Sequence, residues 1–225
     1  MNPIVKICGI NSHDALDAAL VAGADMVGLE RFERSPRHLG LEEGRALSAR
    51  VRGRALRVAL VVDADDGALG EVVEAFDPDL LQLHGSETPE RVAHIRARFG
   101  RPVMKAVGIA SAGDLAAIEA YQGIADRLLL DAKPPAEAEA LPGGNGVPFD
   151  WRLIAGLDAA KPVMLSGGLD SENVAAAIAQ TGVQAVDVSS GVERRPGEKD
   201  PERIEAFVRA ARAAFAAPHN KDKVA

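Results

Sequence analysis

The chain alternates eight times between a short apolar run and a longer segment of helical period, and this alternation limits the fold more than any other feature. The runs are IVKICGI (4–10), DMVGLERF (25–32), LRVALVV (56–62), LLQLHG (80–85), PVMKAVGI (102–109), RLLLDA (127–132), PVMLSGG (162–168) and AVDVSSG (185–191). They are nearly continuous in apolar and β-branched residues, as strands buried on both faces require. Such strands separated by helices form a parallel sheet. Ser12, Ser111 and Asp170 stand where capping residues open helices, Thr88 and Asp200 are each followed by proline, and Gly23 closes the first helix. Helices with softer boundaries are expected near 41–52, 67–76 and 150–157. Eight units in 225 residues predict an α/β protein, a closed (β/α)8 TIM barrel in a single domain over 1–216, with an open doubly wound sheet as the alternative. Residues 217–225 are expected to be a disordered tail. Residues 133–149 form the longest stretch without periodicity, a length that in a compact domain marks a functional or disordered loop.

Charge and cysteine usage narrow the function. A net charge of −7 argues against a nucleic-acid surface, so a small anion would be held by local amides and a placed arginine. No apolar run approaches the ~20 residues of a membrane span, and no signal-type segment precedes the first strand. With a single cysteine the chain suits a reducing compartment, and the cytoplasm is the expected location. The five histidines lack a paired metal-binding spacing, and Asp63, Asp65 and Asp66 lack that of a calcium loop, so neither metal nor cofactor is predicted.

Barrel enzymes place their chemistry at the C-terminal ends of the strands. Cys8, His84, Asp131, Asp187 and Ser189 all fall there. Residues two apart in a strand share a face, so Lys6 with Cys8, Gln82 with His84, and Asp187 with Ser189 form polar pairs converging on one mouth. Cys8 alone reads equally well as a small buried hydrophobe, and Asp131 as a cap. The turns SGGLDSENV (166–174) and SSGVERRPGEKD (189–200) follow the seventh and eighth strands, where barrels often hold phosphate.

These residues resemble a family. KICGI (6–10), SPRH (35–38), QLHGSE (82–87), LLLDA (128–132), PGGNGVPFDW (142–151), LSGGL (165–169), DVSSGVE (187–193) and GEKD (197–200), in this order, are similar to phosphoribosylanthranilate isomerase of tryptophan biosynthesis. The resemblance implies a TIM barrel that performs, without a cofactor, the Amadori rearrangement of an N-(5-phosphoribosyl)anthranilate to the 1-deoxyribulose 5-phosphate. It implies Cys8 as base and Asp131 as acid. Arg37 would hold the anthranilate carboxylate in a bidentate contact, and Gly167, Gly168, Ser190 and Gly191 the phosphate. Gly143, Gly144 and Gly146 would close over that phosphate from the loop, while Asp187 and His84 would contact substrate or serve structure. A free thiol titrates near ~8.5, and Lys6 is expected to raise its thiolate fraction. The acid must keep a proton that an ordinary aspartate has lost, for which Leu128, Leu129 and Leu130 offer apolar surroundings.

The match breaks in strand 2. Where the family usually reads a G-F-V-F pattern, this chain has Gly28-Leu29-Glu30-Arg31-Phe32. Charges on adjacent strand positions face opposite sides, and an unpaired buried ion costs several kcal/mol. Either the strand ends early, or the side chains reach solvent at the mouth, or the activity is altered. Two other readings remain: a catalytically silent phosphosugar-binding barrel, and a related histidine-pathway isomerase, which would call for an aspartate where Cys8 stands. Monomer and homodimer are both open.

Overall fold

The computed structural model describes residues 2–133, 143, 148–157 and 159–217. Eight parallel strands close into a barrel in chain order: β1 (Ile4–Ile7), β2 (Met26–Arg31), β3 (Leu56–Val61), β4 (Leu80–Leu83), β5 (Val103–Ile109), β6 (Arg127–Ala132), β7 (Val163–Leu165) and β8 (Ala185–Val188). The barrel closes where β1 pairs with β8, with Lys6 opposite Asp187. The sequence reading of the fold is therefore correct, and the open-sheet alternative is not.

Local chemistry sets the helix boundaries. Ser12 caps α1 (His13–Ala22), and Gly23 ends it in the left-handed region at φ 87°. The next two helices are α2 (Leu41–Val51) and α3 (Asp66–Phe76), the latter capped by Asp65. Thr88 and Pro89 open α4 (Pro89–Phe99). Ser111 forms a capping box on a 3₁₀ turn that leads into α5 (Ala116–Gln122). The segment expected as a helix over 150–157 is a single 3₁₀ turn, Trp151–Ile154. Gly156 at φ 72° stops it before the second turn that α-helical propagation needs. Asp170 caps a turn, and α6 begins only at Val174 (Val174–Thr181), because Asp170 Oδ1 accepts from the Glu172 and Asn173 amides. A short hairpin, β9 (Glu193–Arg195) with β10 (Glu198–Lys199), precedes α7 (Pro201–Ala216).

Two apolar layers result. One lies between strands and helices, from Val5 and Ile7 through Leu81 and Leu83 to Phe207. The other fills the barrel with Met26, Val58, Leu80, Met104, Leu129, Met164 and Ala185, so the interior is a packed core. Above it, toward the C-terminal mouth, the inward positions turn polar: Lys6, Gln82, Asp131, Ser166 and Asp187 are all buried. That change from apolar to polar floor locates the site.

Candidate functional site

The polar floor opens into a cavity of about 740 Å³ including its mouth. Its lining contains Cys8, Glu30, Arg37, His84, Asp131, Gly143, Gly167, Gly168, Asp187 and Ser190. Ten residues from six strand ends and their loops thus meet at one place.

Lys6 and Asp187 form its base. Lys6 Nζ donates to Asp187 Oδ1 at 2.8 Å, and Asp187 Oδ2 accepts from Ser166 Oγ at 3.0 Å. Burial is the largest influence and works against the Lys6 charge, but Asp187 and Cys8 together outweigh it, so the ammonium is held above the usual lysine range. Each carboxylate oxygen of Asp187 thus accepts one hydrogen bond from the protein, while the residue also lines the cavity. Replacing Lys6 with methionine would leave a buried carboxylate uncompensated, at a cost of about 3–5 kcal/mol. Urea unfolding should show that loss, and Asp187→Asn added to Lys6→Met should recover part of it.

Cys8 follows the last residue of β1 and packs over Gly28, where a Cβ would lie 2.7 Å from its Sγ. Burial pushes its thiol up to about 11, against the downward pull of the Lys6 ammonium, while Asp187 and Glu30 add to the rise. The expectation that Lys6 would leave a raised thiolate fraction is therefore corrected: desolvation outweighs the cation.

His84 leaves the end of β4 and bridges two neighbours. Its Nδ1 lies 2.9 Å from Gln82 Nε2, and its Nε2 lies 3.1 Å from Asp131 Oδ2. Asp131 Oδ1 accepts from the Ala132 amide at 2.8 Å. The loop under His84 is braced by Lys105, whose Nζ donates to Glu87 Oε2 at 2.9 Å and to Gly85 O at 2.6 Å. Gly143 sits directly above the pair: a Cβ there would come within 2.7 Å of both Asp131 Oδ2 and His84 Nε2. This glycine thus covers the histidine and aspartate. Gly144 and Gly146 lie outside the described residues.

Arg37 departs from its expected use. Its Nε and Nη2 donate to Glu193 Oε1 and Oε2 at 2.7 and 2.9 Å, so the bidentate edge expected for substrate is taken by β9. Lys199 Nζ shares the same Glu193 carboxylate at 2.7 Å and donates to Ser189 O at 2.9 Å. This Arg37–Glu193–Lys199 cluster straps the β8 loop to the β2 loop. Glu193 and Lys199 lie in the motifs DVSSGVE and GEKD, yet nothing in their spacing pairs them with an arginine 156 residues away.

At the opposite rim, Gly167 and Gly168 have φ of 85° and 63°, left-handed values that side chains rarely adopt. A Cβ on Gly167 would also stand 2.6 Å from the Ala132 amide nitrogen. Ser190 lines the cavity. At Gly191 a Cβ would be 2.0 Å from Leu169 O, so the missing side chain lets the β8 loop lie against the β7 loop.

Strand 2 resolves as a continuous strand. Arg31 points outward, where Nη1 meets His38 Nε2 at 2.7 Å and Leu39 O at 3.3 Å. Glu30 points inward and lines the cavity, so the pair divides between the mouth and the helix layer.

Comparison with known proteins agrees with this geometry. The family model for N-(5′-phosphoribosyl)anthranilate isomerase matches residues 5–210. A protein of that name from Azorhizobium caulinodans is 59% identical over 213 residues, covering 95% of this chain and 93% of its own. One from Rhizobium meliloti is 54% identical over 216 residues, covering 96% and 100%. The phosphoribosyl anthranilate isomerase structure from Thermotoga maritima superposes with a TM-score of 0.84 at 35% identity, covering 95% of this chain and all of that one. A further isomerase structure, in complex with reduced 1-(o-carboxyphenylamino)-1-deoxyribulose 5-phosphate, has a TM-score of 0.81 at 33% identity, with the same coverage.

Proposed function

The chain belongs to the N-(5′-phosphoribosyl)anthranilate isomerase family, an aldose–ketose isomerase of tryptophan biosynthesis, and from that premise we propose that Cys8 and Asp131 carry its two proton transfers. The observation behind this reading is that a thiol and a carboxyl, from β1 and β6, line one cavity with a left-handed Gly-Gly turn.

The chemistry assigns the steps. Asp131 donates its proton to the furanose ring oxygen, the C1–O bond breaks, and the nitrogen lone pair forms the C1=N⁺ iminium. Cys8 as thiolate removes the proton from C2, and the C–H electron pair forms the C1=C2 enolamine with neutral nitrogen. Tautomerisation of the enolamine gives the aminoketose. One group must begin protonated and the other deprotonated, the usual requirement for an acid–base pair.

The hydrogen-bond chain Gln82–His84–Asp131 suits a group that changes protonation state. If Gln82 Nε2 donates to Nδ1, His84 Nε2–H donates to an ionised Asp131. If the amide is rotated so that its oxygen accepts from Nδ1–H, Nε2 accepts from a protonated Asp131. His84 is thus a positioning residue for the acid. The substrate's phosphate is placed on Gly167, Gly168 and Ser190, where backbone amides at the barrel rim favour an anion. Arg37, which lines the same cavity, is placed near the anthranilate carboxylate. No helix among the described residues is long and apolar enough to cross a membrane, and we assign the protein to the cytoplasm, as its single cysteine suits.

Loss of the substrate's anthranilate fluorescence on adding the protein tests the pair, with the double variant Cys8→Ala/Asp131→Asn run beside the parent. Turnover by the parent and none by the double variant carries the reading. Turnover by both ends it.

A further inference from the structure

Glu30 is the cavity's unexplained charge. It is 8% exposed and lines the cavity, and its carboxyl group has no hydrogen bond or ion pair among the described residues. The other carboxyl groups of the site are engaged. Asp187 is held by Lys6 and Ser166, Asp131 by His84 and Ala132, and Glu193 by Arg37 and Lys199. The carboxyl oxygens of Glu30 open to the cavity and not onto a protein partner, so a ligand group of positive charge is their natural counterpart.

Its position says which group. Glu30 lies one step up the inward face of β2 from Gly28, on which Cys8 packs, and its charge is felt by both Cys8 and Arg37. The substrate carries the same order of groups. C2 is bonded to C1, C1 to the nitrogen, and the nitrogen to the ring bearing the carboxylate. With C2 at Cys8 and the carboxylate toward Arg37, the nitrogen falls beside Glu30. That nitrogen is neutral in the substrate, positive in the iminium, and neutral again in the enolamine.

We propose that Glu30 is a catalytic residue of this chain, the counter-charge that stabilises the iminium formed when the sugar ring opens. The inference rests on the proton-transfer reading of Cys8 and Asp131. A fixed negative charge beside a developing positive one, inside a cavity that excludes most water, lowers the barrier because the attraction exists only after the ring has opened. In the ground state the same charge opposes two substrate anions, so Glu30 weakens binding while it speeds the chemistry.

The experiment compares Glu30→Gln and Glu30→Asp with the parent in the fluorescence assay. Competent sites are counted by titration with reduced 1-(o-carboxyphenylamino)-1-deoxyribulose 5-phosphate. The expected result for Glu30→Gln is a kcat lower by about tenfold to a hundredfold with KM unchanged or lower, and for Glu30→Asp a smaller loss. A kcat in Glu30→Gln equal to or above the parent's overturns the proposal, because the charge then only repels substrate. Equal losses in the two variants overturn it as well, since shape and not charge would be responsible. A parent without turnover would instead refute the proton-transfer reading on which the inference stands.

Discussion

Cys8→Ala should lower kcat by about 10²–10⁴, the usual worth of a positioned general base, and leave KM close to the parent's. The reason is geometric. The thiol rests on Gly28 at the floor of the cavity, and shortening it leaves no titratable atom at that point of the floor. Because burial pushes the thiol up to about 11, the thiolate is scarce at neutral pH. The same shift makes a stability prediction whose sign is fixed. The folded thiol's pKa lies above that of a free thiol, so the unfolded chain loses the proton first. Its contribution to stability is fully present below about 9 and is lost as pH rises to about 11. In Cys8→Ala this alkaline decline should be shallower, and chemical denaturation at several pH values measures it. Full activity in Cys8→Ala would make the residue an ordinary part of the core.

Alternation along strands already puts Lys6 with Cys8, Gln82 with His84 and Asp187 with Ser189 on shared faces, and the positions of Cys8, His84 and Asp131 at the strand ends follow from the same count. What periodicity cannot give is which inward residues meet. Lys6 pairs with Asp187 only because the first strand closes against the eighth, 181 residues away. The bond between Arg37 and Glu193 depends on a hairpin folding back after β8, and it takes the guanidinium edge that a resemblance would assign to substrate. The thiol's acidity escapes a linear reading for a related reason. A neighbouring lysine is visible in the sequence, but the desolvation that outweighs it is a property of the closed barrel. Strand 2 shows the converse. Its two charges look like a defect in a linear reading, yet one side chain reaches the cavity and the other meets His38.

Asp131→Asn should lower kcat by about 10²–10⁴ as well, but through the opposite half of the reaction. Asparagine keeps the size of the side chain and can still bond to His84 and to the Ala132 amide, so the cavity and the Gly143 contact above it should persist. It has no proton to give the ring oxygen. Departure of an unprotonated alkoxide from C1 then sets the barrier, and KM should change little because the ring oxygen is uncharged in the bound substrate. His84→Gln separates the acid from its support. It retains Asp131 but removes the ring nitrogen at 3.1 Å that orients it, so its loss should be smaller than that of Asp131→Asn. Single-turnover measurements with an excess of enzyme distinguish the two, since a defect in ring opening delays the first loss of substrate fluorescence. An Asp131→Asn variant that opens the ring at the parental rate would mean that another group delivers the proton, and the pairing of this aspartate with His84 would then serve only to hold β4 against β6.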